Sequence, residues 1–219
     1  ILQSFASFGD LELKNILDLG CGTGSHTIEF VKLGYSITGL DVDKLMIDMA
    51  TSKYSQINFI YGNITNHDFN YKYELIFSFF NVINYIDDIF TLLDFFKGVK
   101  KNLHHGGVFI FDCWNGNRVC VDPPLKKQIE INNEGISVKG ILHPDYNQLN
   151  NTANFHYVFD VVDNKVKLRV ENRLFQTFWS PLILKQLLKE AGFRKINIFN
   201  HLSNDLASFE SYKLSFVCF

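Results

Sequence analysis

Asn15-Ile16-Leu17-Asp18-Leu19-Gly20-Cys21-Gly22-Thr23-Gly24-Ser25-His26 decides how the rest of this 219-residue chain is read. A short apolar run ends in an acid, and glycines follow at every second position. An apolar run of this length bounded by a turn signal reads as a buried strand. The glycines mark a turn where a side chain is excluded, either because φ must be positive or because something approaches the backbone closely. Residues 27–33 then read as a helix, closed by Gly34 just past its end. Strand, glycine turn and helix make the first unit of a doubly wound α/β sheet. The ligand crevice of such a sheet lies at the carboxyl end of its strands.

The spacing of the glycines bears on the ligand. A dinucleotide-binding turn needs its third glycine three residues after the second, for helix packing beside a pyrophosphate. Here that position is Ser25, and the third glycine comes one residue early, at Gly24. The Gly-Lys-Ser/Thr of a phosphate-cradling loop is absent. Residues 35–40 read as a second strand ending at Asp41, about 20 residues beyond the turn, where a nucleotide-binding unit places a carboxylate. Its two oxygens can accept from both hydroxyls of a ribose. The competing reading, a helix N-cap, fits Asp43 better, ahead of a helix over 44–54.

Leu17 to Gly24 resembles motif I of the class I S-adenosylmethionine (SAM)-dependent methyltransferases. The resemblance implies a seven-stranded Rossmann-like sheet whose last strand runs antiparallel between the fifth and sixth. It implies SAM as cofactor, with Asp18, Gly20, Cys21, Gly22 and Gly24 around the methionine part and Asp41 on the ribose. Val42 and Met46 are then placed to flank the adenine. Asn63, where the family often has an acid, offers its carbonyl to the adenine amino group, with Ile64 and Phe79 on the same cleft edge.

Later segments extend this pattern. Residues 57–61 read as a third strand and the strongly apolar 73–80 as a central fourth. Asn81, Asn84 and Tyr85 follow the latter at the expected methyl-transfer position; their plainer reading is turn and capping chemistry. Ile89, Leu92, Leu93, Phe96 and Leu103 form a helical stripe. Residues 108–112 make a fifth strand, ending in Asp112-Cys113-Trp114-Asn115-Gly116. Trp114 and Asn115 there can wall and bond an acceptor, and Asp112 can anchor it, or Trp114 simply covers a core edge.

From about Val121 the periodicity changes. Pro123-Pro124 interrupts the chain, and 136–142, 154–162 and 165–175 alternate with period two, the last two joined at Asp163-Asn164. Phe155, Tyr157, Phe159 and Val161 share one face; His156, Val158 and Asp160 share the other. Residues 121–175 therefore read as an antiparallel β lid inserted in a core of 1–120 and 176–219, placed over the acceptor or used to form a homodimer. This layout resembles small-molecule methyltransferases, including those acting on amino sugars. Ser180-Pro181 opens a further helix; strands over 193–200 and 213–219 follow. Residues 1–8 read as the tail of a helix.

The expected reaction is methyl transfer from SAM to N or O of a small-molecule acceptor, leaving S-adenosylhomocysteine. It needs in-line positioning at near-attack distance, and no metal. Asn81, Tyr85, Trp114 and His156 are the candidate catalytic residues. His143, Tyr157, Glu171 and Arg173 are further candidates for acid–base work or orientation. Net charge is −2, with no long Lys/Arg run, which disfavours a nucleic-acid surface. No stretch reaches the roughly 18 apolar residues of a membrane span. Cys21, Cys113, Cys120 and Cys218 lack metal-ligand spacing and fit a reducing, cytoplasmic setting. Three rivals stay open: a nucleotide-dependent oxidoreductase, a protein that binds SAM without turnover, and a protein or RNA methyltransferase. Against the last, the Asn-Pro-Pro-Tyr element of enzymes acting on planar nitrogens is absent, and Phe80-Asn81-Val82-Ile83 stands in its place.

Overall fold

The computed structural model describes residues 13–133, 136–163 and 166–219. The helix expected over residues 1–8 lies outside them, as does Asn164 of the expected hairpin turn. Two sheets make up the fold. The larger contains β1 (Ile16–Leu19), β2 (Ile37–Asp41), β3 (Asn58–Tyr61), β4 (Tyr73–Ser78), β5 (Leu103–Trp114), β10 (Ile196–Asn200) and β11 (Lys213–Cys218). Their order is β10-β11-β5-β4-β1-β2-β3. All neighbours are parallel except β11, which runs antiparallel to both β5 and β10. The chain leaves β1 toward β2 and β3, then returns to β4 on the other side. Strand order thus reverses between β1 and β4, and a crevice opens at their carboxyl ends.

Period-two alternation splits the apolar residues between two faces, as it must in a sheet covered on both sides. Leu17, Ile76, Phe109 and Phe111 face one core with Leu92, Phe96 and Val99 of α3 (Ile89–Asn102) and with Leu184 and Leu188 of α5 (Pro181–Glu190). Ile16, Leu75, Phe77 and Ile110 face the other, with Phe30 of α1 (Thr27–Lys32). α1 ends in a Schellman arrangement: Gly34 N–H donates to Val31 O at 2.9 Å and Tyr35 N–H to Phe30 O at 3.1 Å. Asp43 caps α2 (Lys44–Lys53) by accepting from Leu45 and Met46 N–H, and Ser180 caps α5 through Ile183 N–H.

The smaller sheet has the order β6 (Lys127–Asn133), β7 (Ile136–Asn147), β8 (Thr152–Asp163) and β9 (Val166–Thr177), all antiparallel. The sequence reading missed β6. Ile129 and Ile131 are its only apolar residues, so pairing with β7, not its own pattern, makes it a strand. It also missed the short α4 (Gly116–Val121) and the 3-10 turn Val82–Tyr85. Between the sheets lies a separate small core of Val119, Ala153, Phe155 and Phe178. Polar ties reinforce it. Asn151 Nδ2 donates to Phe178 O at 2.6 Å and to Gly116 O at 3.1 Å, and Asn84 Nδ2 donates to Thr177 O at 2.6 Å. Trp179 Nε1 donates to Ile86 O at 3.1 Å. Among the described residues no helix is long and apolar enough to cross a membrane.

Candidate active site

The crevice between β1 and β4 holds a cavity of about 570 Å³. Its walls come from five places: the turn after β1 (Gly20, Gly22), the end of β2 (Asp41, Val42, Met46), the loop after β3 (Asn63, Ile64), the segment after β4 (Phe79, Phe80, Tyr85) and α3 (Thr91, Phe95). A second cavity of about 260 Å³ adjoins it, lined by Asp18, Cys21, Gly22, Ser25, His26, Phe79 and Phe80. Gly20, Gly22, Phe79 and Phe80 border both.

The glycine turn is built for close approach. Gly20 has φ +79°, and a Cβ there would lie 2.6 Å from Val82 Cγ2. Gly22 has φ +53°, and a Cβ there would meet nothing within 4 Å, because the position faces open cavity. Asp41 holds this turn in place. Its Oδ2 accepts from Gly22 N–H at 2.8 Å and its Oδ1 from Asp43 N–H at 2.9 Å. Each carboxylate oxygen keeps one lone pair for a ligand. Asp18 is buried beneath the turn, where Thr27 Oγ1 donates to its Oδ2 at 2.7 Å. Burial pushes its carboxyl up to about 7; the Thr27 bond pulls down, and the Asp41 charge adds to the rise.

Residues 16–107 match a family model described as a methyltransferase domain. A candidate methyltransferase of Geobacillus sp. (strain WCH70) is 25% identical over 223 aligned positions, covering 99% of this chain and 89% of that protein. A solved S-adenosylmethionine-dependent methyltransferase from Clostridium acetobutylicum superposes with a TM-score of 0.85 at 20% identity, over 100% of this chain and 91% of that one. Residues 16–107 carry a methyltransferase domain, and the chain has the fold of the SAM-dependent methyltransferases. A third relative matches a shorter stretch. It is the dTDP-3-amino-3,4,6-trideoxy-alpha-D-glucopyranose N,N-dimethyltransferase of Streptomyces venezuelae, 24% identical over 103 residues, 47% of this chain and 44% of that protein.

For this methyltransferase the structure brings together every residue assigned above to the cofactor except Gly24, which borders neither cavity. A Cβ on Gly24 would sit 2.6 Å from the Phe59 ring, so this glycine serves the packing of the turn on β3. Asn63 reaches the cavity in a different role from the expected one. Its Oδ1 accepts from both the N–H and the Oγ1 of Thr65, each at 3.0 Å, which fills both lone pairs. What remains for a purine edge is its Nδ2.

Of the four candidate catalytic residues, only Tyr85 lines the cavity. Asn81 is buried, with φ +61°; its N–H donates to Asp112 Oδ1 at 2.6 Å and its own Oδ1 is buried without a partner. Trp114 packs edge-on to Phe178 and Tyr212 and lies under Lys213, whose Nζ is 4.6 Å from its ring. It belongs to the joint between the sheets, and Asn115 does too. Asn115 Oδ1 caps α4 at Asn117 N–H and its Nδ2 donates to Ser211 O. His156 is on the wrong face. Ala153, Phe155 and Tyr157 turn toward the core between the sheets, so alternation sends His156 outward, to Glu171 Oε2 at 3.5 Å. His143 and Arg173 stand opposite His156 in the ladder, on that same outer face. Tyr157 is on the inner face, its phenol raised first by burial and then by the nearby Tyr85 phenol.

The wall residues Val82, Thr91 and Phe95 were not foreseen, whereas Phe80 lies at the strand end expected to open into the crevice. Phe95 lies on the same helix as the apolar stripe but outside the residues assigned to it, and nothing in that periodicity distinguishes a cavity wall from a core position. Phe80 carried one usable signal, its place in the motif after β4. Its ring lies 4.4 Å from that of His26, on a residue with φ +68°.

Proposed function

We propose that this methyltransferase binds SAM across the two cavities and transfers its methyl group to the amine of a small molecule, with an amino sugar as the favoured acceptor class. The observation that carries the cofactor reading is the bare main chain of Gly22 facing open cavity, 2.8 Å by its N–H from a ribose-type carboxylate. The adenosine occupies the larger cavity. Its hydroxyls use the remaining lone pairs of Asp41, and its base lies between Val42, Met46, Ile64 and Phe95. The methionine end occupies the smaller cavity, where the ionised Asp18 receives its ammonium group.

Methyl transfer to a neutral amine discharges the sulfonium and needs alignment more than a strong base. The described cavity walls near Phe79 and Phe80 fit that demand: they are aromatic, with Tyr85 as the polar group. The inner lid face with Tyr157 and the Tyr85 phenol supplies hydroxyls suited to a polyhydroxylated acceptor. The amino-sugar class is supported by the Streptomyces venezuelae relative, which is similar over 47% of this chain. The test is turnover: purified protein with SAM and a set of nucleotide-linked amino sugars, with S-adenosylhomocysteine release and product mass measured. Release with a phenol or catechol set and none with amines would replace the N-acceptor reading. Absence of SAM binding by calorimetry would remove the whole proposal.

A further inference from the structure

The methionine end of SAM is a zwitterion, and the smaller cavity offers its ammonium a buried acid, Asp18. The carboxylate of that tail needs the opposite chemistry, since beside Asp18 it would be repelled. Acids predominate in this crevice: Asp18, Asp41 and Asp43 all border it. Among the described residues lining the two cavities there is no Lys or Arg, and His26 is the one side chain able to carry a positive charge. It stands at the smaller cavity with Thr23 and Ser25, whose hydroxyls lie 3.3 Å apart, so that one proton of the pair is spent between them.

The His26 ring is free to serve a ligand. It is exposed, and although the residue precedes α1 it makes no side-chain capping bond there. In either protonation state an imidazole has at least one N–H to give. The ring is also held. Its centroid lies 4.4 Å from that of Phe80, with 32° between the planes. Phe80 comes from the opposite wall, after β4, and its φ of +68° is a conformation that a non-glycine residue keeps only where the surroundings impose it. The contact therefore joins the turn after β1 to the segment after β4 at the edge of the smaller cavity.

We infer that His26 recognises the carboxylate of the SAM methionine tail, donating a ring N–H to it while Asp18 takes the ammonium. This rests on the reading of the two cavities as the SAM site. The selectivity it predicts is for an amino-acid tail over an amine tail of the same length.

The test compares SAM with decarboxylated SAM, which keeps the adenosine, the sulfonium and the ammonium, by calorimetry at one pH. The readout is the ratio of the two affinities, in which the contacts of Asp18 and Asp41 cancel. His26→Ala is expected to shift that ratio about tenfold toward the decarboxylated ligand, through weaker SAM binding and little change for the analogue. His26→Gln, which keeps an N–H donor, should shift it by less than about threefold. A His26→Ala variant that weakens both ligands in proportion, or neither, overturns the assignment and leaves the SAM site standing. His26→Gln as indifferent to the carboxylate as His26→Ala overturns the N–H donor role. Wild type that fails to bind SAM removes both readings.

Discussion

Asp18 and Asp41 are both strand-end acids, and their surroundings give them opposite characters. Asp41 keeps one backbone N–H on each oxygen at 2.8 and 2.9 Å and remains partly open to the cavity. Its loss removes a charged acceptor from the glycine turn and, with SAM bound as proposed, from its ribose. Asp41→Ala is expected to weaken SAM binding by about 1.5–3 kcal/mol, the range for hydrogen bonds to charged groups, read by calorimetry. Asp18 accepts from the Thr27 hydroxyl, and its burial raises the carboxyl to about 7. A carboxyl raised from 3.8 to about 7 binds its proton more tightly in the fold than in the unfolded chain. The stability it contributes is complete below the unfolded value and is lost as pH rises through about 7. Thermal melts of the ligand-free protein should therefore decline across that window, and Asp18→Asn should flatten the decline. SAM binding should run the other way. An ammonium prefers the ionised carboxylate, so affinity should rise from pH 6 toward pH 8, about one unit either side of the Asp18 midpoint, and Asp18→Asn should lose the rise.

At the scale of elements, the glycine turn separates two demands that one motif conceals. Gly20 is needed by the protein, since a Cβ there would press on Val82, which begins the 3-10 turn after β4. Gly22 is not needed for packing, since a Cβ there meets only cavity, where the proposed SAM would lie. Gly20→Ala should destabilise the fold, by about 1–3 kcal/mol for backbone strain alone, visible as a lower denaturation midpoint. Gly22→Ala should cost less stability, about 1–2 kcal/mol for a left-handed alanine, yet lose SAM binding. Equal affinity in Gly22→Ala and wild type would mean that the ligand does not approach this backbone. The joint between the sheets is a second element-scale device. Asn151, at φ +51°, donates to the carbonyls of Gly116 and Phe178 and accepts from the Tyr146 hydroxyl. Its replacement by Ala leaves buried carbonyls short of a donor, at about 1–3 kcal/mol. Amide exchange in β7 and β8 should quicken before exchange in β1 and β4.

At the scale of the molecule, one sheet carries the cofactor crevice and the other brings Tyr157 toward Tyr85 at its edge. The two functions should separate by mutation. Tyr157→Phe and Tyr85→Phe should leave SAM affinity within about twofold while raising the KM for the acceptor. His156→Ala should change neither, since its ring faces away, toward Glu171.

What could be read along the chain was the part whose chemistry is local. The strand runs straight into the glycine turn, Asp41 follows about 20 residues on at the end of the next strand, and Asp43 caps α2 two residues later, so periodicity and spacing sufficed for the fold and for most of the residues gathered at the main crevice. The acceptor side was another matter, because it is made by segments far apart in the chain. Asn84 bonds Thr177, Asn81 bonds Asp112, and Asn115 bonds Ser211. Composition alone cannot distinguish a buried amide that serves another strand from one that serves a substrate. Likewise β6 is a strand because β7 pairs with it, and Asn63 Oδ1 is occupied because Thr65 turns back upon it. The sequence by itself determined where bare backbone faces a crevice, through steric rules acting over a single turn. Only the tertiary structure decided which polar groups are left over for a second ligand, because hydrogen-bond capacity is spent between residues that meet only after folding.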